Sequence, residues 1–284
     1  MKFKMTDSTK FTLSITETPS KFSNLEKMSV PELISSINRE DAKVHRAVKK
    51  ALPQIEQLVV RIIERMKEGG RVFYLGAGTS GRLGVLDASE LPPTFGVPEN
   101  LVIGIIAGGD AALRKAVENA EDDPEKAWEE LKSFNISPHD TVIGIAASGT
   151  TPWVIGGVRK AREAGLLTGC ITCNPDSEIA RAAEFPVEAI VGPEFVTGST
   201  RLKAGTAQKM ILNMITTTIM IKLGRVKGNR MVNMQLTNSK LVARGTRMLM
   251  EELGLGQTEA RQLLLEFGSV KKAIDGYRLQ AGNR

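Results

Sequence analysis

Arg71-Val-Phe-Tyr-Leu-Gly-Ala-Gly-Thr-Ser-Gly81 begins as a short β-rich run, passes through a glycine loop and enters the helical pattern of Leu83–Glu90. The same order recurs downstream. Leu101-Val-Ile-Gly-Ile-Ile106 reads as a second strand before a helix over Ala111–Phe134, and Thr141-Val-Ile-Gly-Ile-Ala146 as a third before Val154–Glu163. Leu166–Thr172 and the weaker Phe185–Val191 complete the set ahead of a long helix over Lys203–Leu223. Strands of unbroken apolar character are buried on both faces, and strands separated by helices pair in parallel. An α/β fold with a doubly wound parallel sheet is expected.

The flanks read differently. Residues 1–22 are polar and lack a steady period, as in an arm or loosely ordered start. Ser29-Val-Pro-Glu32 has the form of a capping box with Pro31 near the first helical position. Helices are expected from there to Asn38 and again over Glu40–Glu68, with Pro53 breaking or kinking the second. After the turn at Lys227-Gly-Asn229, helical patterns over Ser239–Leu253, Thr258–Phe267 and Ser269–Tyr277 are separated by Gly254 and Gly268. The expected organisation is an arm over 1–22, an α/β domain over 23–238 that includes the helical N-terminal region, and a small C-terminal helical appendage over 239–284.

Composition narrows the function. At 42% hydrophobic and 25% charged residues, the 284-residue chain is neither collagen-like nor wholly disordered. Its two histidines (His45, His139) and two cysteines (Cys170, Cys173) are scattered, unlike the clustered ligands of a structural zinc site, and leave no disulfide scaffold. Cys170-Ile-Thr-Cys173 is formally C-x-x-C but lies in or at the end of a strand, where the two thiols point to opposite faces and are buried. The net charge of +6 is interleaved with acids and accompanied by two Trp and two Tyr. That suits steering of an anionic small molecule better than nucleic-acid binding. The apolar tract Met210–Leu223 is interrupted by Asn213, threonines and Lys222 and is shorter than the roughly 20 residues of a membrane span. Met1–Leu13 has no apolar core of a signal peptide, so the cytoplasm is the expected location.

Ligands of doubly wound sheets bind where loops leave the carboxyl ends of strands. Gly76-Ala-Gly-Thr-Ser-Gly81 fits G-x-G-x-x-G, yet the acidic partner of a dinucleotide site is poorly placed, since Asp110 comes late. Thr79 and Ser80 instead set two hydroxyls beside backbone amides at a helix start, as a terminal phosphate requires. Ala147-Ser148-Gly-Thr150-Thr151-Pro152 repeats this arrangement after the third strand. Either loop alone could be helix capping; two together point to a phosphomonoester and its sugar. A third loop, Cys173-Asn-Pro-Asp-Ser177, ends the fourth strand. A fourth, Gly192–Lys203, adds Ser199, Arg201 and Lys203, cations able to neutralise phosphate or carboxylate or simply exposed at a capped helix. Two carboxylates complete the candidates. Glu90 ends a helix, where the dipole disfavours ionisation and suits a general acid. Glu121 lies one turn after Glu118 on an acidic stretch.

At these residues a family resemblance becomes specific. Leu75-Gly-Ala-Gly-Thr-Ser-Gly-Arg-Leu-Gly-Val-Leu-Asp-Ala-Ser-Glu90, followed after Leu91 by Pro92-Pro-Thr-Phe-Gly96, closely resembles the signature of N-acetylmuramic acid 6-phosphate etherases, in the sugar isomerase (SIS) superfamily. The likeness continues through Ala116–Asp122, Gly144–Gly149, Thr172–Pro175 and Val196–Lys209. Thr16-Glu-Thr-Pro-Ser-Lys21 keeps only part of the family's N-terminal stretch, and Leu91 stands where many members have Cys. The resemblance implies an SIS-like fold and cleavage of the lactyl ether by elimination and then hydration, with no metal or redox cofactor. It implies Glu90 as proton donor to the departing lactate and Glu121 as the second catalytic carboxylate and base. It implies that Thr79, Ser80, Ser148, Thr150 and Thr151 hold the phosphorylated amino sugar, with Ser199, Arg201 and Lys203 as further candidates. Ten helical steps from Ser80 to Glu90 span roughly 15 Å, so the site is expected to be completed across a homodimer. Competing readings are a phosphosugar aldose–ketose isomerase and a non-catalytic sugar-phosphate sensor of the same superfamily. Neither nucleic acid nor membrane is expected as a partner.

Overall fold

The computed structural model describes residues 14–236 and 238–282. Strands β1 (Val72–Gly76), β2 (Val102–Ile106), β3 (Thr141–Ile145), β4 (Leu167–Thr172) and β5 (Phe185–Glu188) form one sheet in the order β2-β1-β3-β4-β5. All four pairings are parallel, with Val72 opposite Val102 on one side and Thr141 on the other. β1 and β3 are buried along their whole length, as central strands covered on both faces must be.

The helices between are α1 (Val30–Asp41), α2 (Val44–Lys67), α3 (Gly78–Ser89), α4 (Leu91–Phe95), α5 (Ala111–Arg114), α6 (Lys126–Lys132), α7 (Pro152–Glu163), α8 (Glu178–Ala182) and α9 (Lys203–Lys222). Strand alternation sends Val72 and Tyr74 into an apolar layer with α2, α3 and α9, and Phe73 and Leu75 into one with α6, α7 and α8. Glycine lets α3 sit directly on the sheet: a Cβ at Gly104 of β2 would lie 2.6 Å from the Val85 backbone. The result is the expected doubly wound parallel sheet between two helical layers. Cys170 and Cys173 are both fully buried and, as strand spacing requires, belong to opposite layers.

Local signals account for most boundaries. Glu32 Oε2 accepts the Ser29 N–H and hydroxyl at 2.7 Å each, closing the capping box at the start of α1. Pro53 does not break α2. Its side chain and that of Lys49, whose carbonyl loses its helical donor, are exposed, so water can satisfy the freed group. The single helix expected over Ala111–Phe134 is instead two, α5 and α6, joined by turns. Asn119 in the left-handed region (φ 58°) and Pro124 both interrupt helix propagation there.

Beyond α9, the hairpin β6 (Val226–Lys227) and β7 (Arg230–Met231) leads to α10 (Ser239–Leu253), α11 (Gln257–Phe267) and α12 (Val270–Gly282). Gly254 (φ 70°) and Gly268 (φ 71°) end α10 and α11 in the left-handed conformation. Leu249, Leu264 and Ala273 form a separate apolar cluster that also takes in Val232 and Met234, ahead of α10. Among the described residues no helix is long and apolar enough to cross a membrane.

Candidate active site

Sheet order decides where a ligand can enter. The chain passes from β1 outward to β2 and then crosses back to β3, so the carboxyl ends of β1 and β3 flank a crevice between diverging connections. The two hydroxyl loops leave from these two ends.

At the end of β1, glycine allows helix α3 to begin immediately. A Cβ on Gly76 would lie 2.6 Å from the Gly81 nitrogen, and one on Gly81 would lie 2.6 Å from the Gly76 carbonyl oxygen. Thr79 and Ser80 therefore fall in the first turn of α3, among N–H groups without intrahelical acceptors. Thr79 is half-buried and stands beside the first turn of α9, its Cγ2 being 3.4 Å from where a Gly205 Cβ would sit. Ser80 is buried, and its hydroxyl donates to Gln208 Oε1 of α9 at 3.0 Å. The other amide atom, Gln208 Nε2, is buried without a partner among the described residues. A buried donor left unpaired is costly, so this one stands ready for a ligand or water beside Ser80.

At the end of β3, Ser148 Oγ accepts from the Thr150 amide at 3.3 Å and hydroxyl at 3.0 Å. Thr151 then precedes Pro152, the first residue of α7. Thr150 is exposed, whereas Ser148 and Thr151 are half-buried. Asn174, from the loop after β4, braces this turn: its Nδ2 lies 2.9 Å from the Ala147 carbonyl oxygen and 3.1 Å from that of Ser148. The same side chain anchors the N-terminal segment. Asn174 Oδ1 accepts the Thr16 N–H at 3.1 Å, and Nδ2 donates to Thr16 Oγ1 at 2.9 Å. Ser20 adds bonds to Thr197 and Phe195, and the Phe22 and Phe195 rings meet at 4.7 Å. Residues 14–22 are thus docked onto the loops at the carboxyl edge, with Glu17 beside Gly198. Periodicity could not show this, because polar side-chain bonds to distant loops carry no period; residues 1–13 of the expected arm lie outside the described residues.

In the fourth loop Ser199 is half-buried and Arg201 exposed. Lys203 is turned inward instead. Only 2% exposed, it places its ammonium 2.8 Å from Glu40 Oε2 and 2.5 Å from the Pro193 carbonyl oxygen. Glu194 caps the start of α9 by accepting the Lys203 and Ala204 N–H groups at 3.0 and 2.9 Å. The Lys203 ammonium is therefore committed to a buried ion pair rather than presented to the hydroxyl loops.

The two glutamates are placed apart. Glu121 lies in the turns between α5 and α6; its side chain is exposed and its carbonyl accepts the Trp153 N–H of α7 at 3.0 Å. Its neighbour Pro124 packs so closely that a Cβ on Gly156 would lie 1.9 Å from the Pro124 oxygen. Glu121 is thereby held next to the start of α7 and the Ser148–Thr151 loop. Glu90, also exposed, terminates α3 and lies about 15 Å of helical rise from Ser80. It lines a cleft of about 210 Å³ with Lys209 and Asn213 of α9. Gln208 and Asn174 escaped the reading from sequence, although each is a polar residue inside an otherwise apolar or loop-forming stretch. Burial pushes the Cys170 and Cys173 thiols up to about 12, which makes them inert. Among the described residues no group of three or more His, Cys, Asp or Glu could hold a metal ion.

Comparison with known proteins gives this geometry a family. Residues 54–162 match the glucokinase regulatory protein N-terminal SIS domain, and residues 115–218 match the SIS domain. A phosphoheptose isomerase from Francisella tularensis shares the fold, with TM-score 0.53 at 18% identity over 68% of this chain and 98% of that one. Far greater likeness is found to an N-acetylmuramic acid 6-phosphate etherase of Bacteroides fragilis, 66% identical over 94% of this chain and 95% of that protein. The etherase of Salmonella agona is 54% identical over 88% of this chain and 85% of its own length. A match of that identity and extent spans most of the chain, which belongs to the N-acetylmuramic acid 6-phosphate etherase family.

Proposed function

We propose that this protein is a cytoplasmic carbon–oxygen lyase of amino sugar catabolism and cell-wall recycling, converting N-acetylmuramic acid 6-phosphate and water to N-acetylglucosamine 6-phosphate and D-lactate. The observation that carries this reading is the pair of hydroxyl loops at the ends of adjacent strands β1 and β3, in a chain 66% identical to a relative of that name. Thr79 and Ser80 hold the phosphate at the positive end of α3. Ser148, Thr150 and Thr151 hold sugar hydroxyls, Ser199 and Arg201 close the site from the fourth loop, and Lys203 shapes that loop through Glu40.

Chemistry follows from the opened sugar. Its aldehyde acidifies the proton on the neighbouring carbon, which Glu121 removes. Electrons move into a carbon–carbon double bond as the ether bond breaks, and Glu90 gives a proton to the leaving lactate oxygen. Water then adds to the unsaturated aldehyde at the carbon that lost lactate. The separation of Ser80 and Glu90 exceeds the reach from phosphate to ether, which supports a homodimer in which both chains serve one substrate. Exposed Leu52, Val60, Leu86 and Ile221 on the α2–α3–α9 layer supply apolar surface for such a contact.

Turnover in ¹⁸O-water tests the reaction: the label is expected at the sugar 3-hydroxyl, with lactate released. Isomerised sugar without lactate, or binding without turnover, would refute the proposal. Mixing Ser148→Ala and Glu90→Gln subunits is expected to restore part of the activity, and no recovery at any ratio would refute the shared site.

A further inference from the structure

Glu90 shares its cleft with two groups of opposite character. Asp87, one turn earlier on α3, is buried and hydrogen-bonded to three side chains. Its Oδ1 accepts from Asn213 Nδ2 at 2.9 Å and Thr216 Oγ1 at 3.3 Å, and its Oδ2 from the Tyr74 hydroxyl at 3.4 Å. Lys209, on the facing side of the cleft, is exposed and enters no ion pair among the described residues. Leu83, Leu86 and Leu212 form the apolar part of the lining. The cleft thus offers a carboxyl group at Glu90, an ammonium with no ion pair among the described residues and an apolar wall, beside a buried acid that three side chains already hydrogen-bond.

We infer that Lys209 binds the carboxylate of the substrate's lactyl arm while Glu90 serves the ether oxygen. The inference rests on the etherase reading and adds a recognition residue to it. In the lactyl group the ether oxygen, the methyl and the carboxylate are attached to one carbon. Groups serving them must therefore lie within a few ångströms of each other, in a single cleft. Lys209 is the lysine or arginine that lines this cleft, and so the cation within reach of a carboxylate entering beside Glu90. The leucines suit the methyl. Because α3 and α9 belong to one chain, Glu90 and Lys209 act as a unit whichever subunit holds the phosphate. Recognition at this end distinguishes a lactyl ether from a plain sugar 6-phosphate, which the hydroxyl loops alone cannot do.

The test pairs Lys209→Met and Lys209→Arg with two compounds: the natural substrate and its lactamide analogue, in which an amide replaces the carboxylate, measured by Ki as a competitor. Lys209→Met is expected to lower kcat/KM for the substrate about 10- to 100-fold, the worth of a charge-assisted hydrogen bond. Its Ki for the amide analogue, neutral at the lactyl end, should stay within about threefold of wild type, and Lys209→Arg should recover part of the loss. Equal losses toward both compounds, or none toward the substrate in an active enzyme, would overturn the assignment of Lys209 alone. A wild-type protein that releases no lactate would overturn the etherase reading and this inference together. The side chain is exposed, so an unchanged urea midpoint is expected for both variants.

Discussion

Replacing Lys203 with methionine separates a structural role from a substrate-binding one. The Lys203 side chain is 2% exposed and that of Glu40 8%, with 2.8 Å between Nζ and Oε2. Removing one partner of a buried ion pair leaves the other charge uncompensated, at a cost of about 3–5 kcal/mol. Lys43 also bonds Glu40 from a 45% exposed position and remains in the variant. The expected loss is therefore at the lower end, about 3 kcal/mol. The sign with pH is also defined. Burial raises the Glu40 carboxyl, but hydrogen bonds and charge from Lys203 and Lys43 outweigh it and hold the group below its ordinary value. A depressed carboxyl contributes stability above its unfolded pKa of about 4.3 and loses it as pH falls through the lower folded value. The difference between wild type and Lys203→Met should thus be full at neutral pH and shrink in acid. Urea unfolding at pH 7 and at several pH values below 5 measures it, with Arg201→Met as the exposed control expected within about 0.5 kcal/mol of wild type. A Lys203→Met protein with the wild-type urea midpoint and a raised KM would refute the reasoning and return Lys203 to the substrate.

Three further outcomes are expected. Iodoacetamide at neutral pH should leave the native protein unmodified and label Cys170 and Cys173 only after denaturation; native labelling would contradict their burial in opposite layers. Gln208→Glu puts a carboxylate beside Ser80 and should raise KM for the phosphorylated sugar about tenfold or more by like-charge repulsion; an unchanged KM would remove the phosphate from this end of the crevice. Gly149→Ala places a side chain on a backbone with φ 75° and sets its Cβ 2.4 Å from Ser177 Oγ. The left-handed conformation alone costs about 1–2 kcal/mol, so a lowered urea midpoint is expected together with a raised KM from the displaced Ser148 loop.

What the chain determines by itself is whatever a local pattern can encode. Short, largely apolar runs marked β1 to β4, since a strand covered on both faces needs no polar alternation. Ser29 and Glu32 announced the start of α1, and Gly254 and Gly268 the ends of α10 and α11, because caps and left-handed turns are settled within a few residues. The opposed burial of Cys170 and Cys173 followed from strand geometry alone. Tertiary structure decided everything that depends on which distant group reaches a polar atom first. Lys203 read equally well as a phosphate ligand until Glu40, far away in sequence, claimed its ammonium. Asn174 was one residue in a loop until it tied Thr16 to the Ser148 turn. The helical pattern around Glu121 gave way to turns that pack Pro124 and Glu121 against α7, so the position of that carboxylate is a product of packing. Periodicity records which face of an element is apolar; long-range hydrogen bonds and ion pairs have no period, and only the folded chain selects among them.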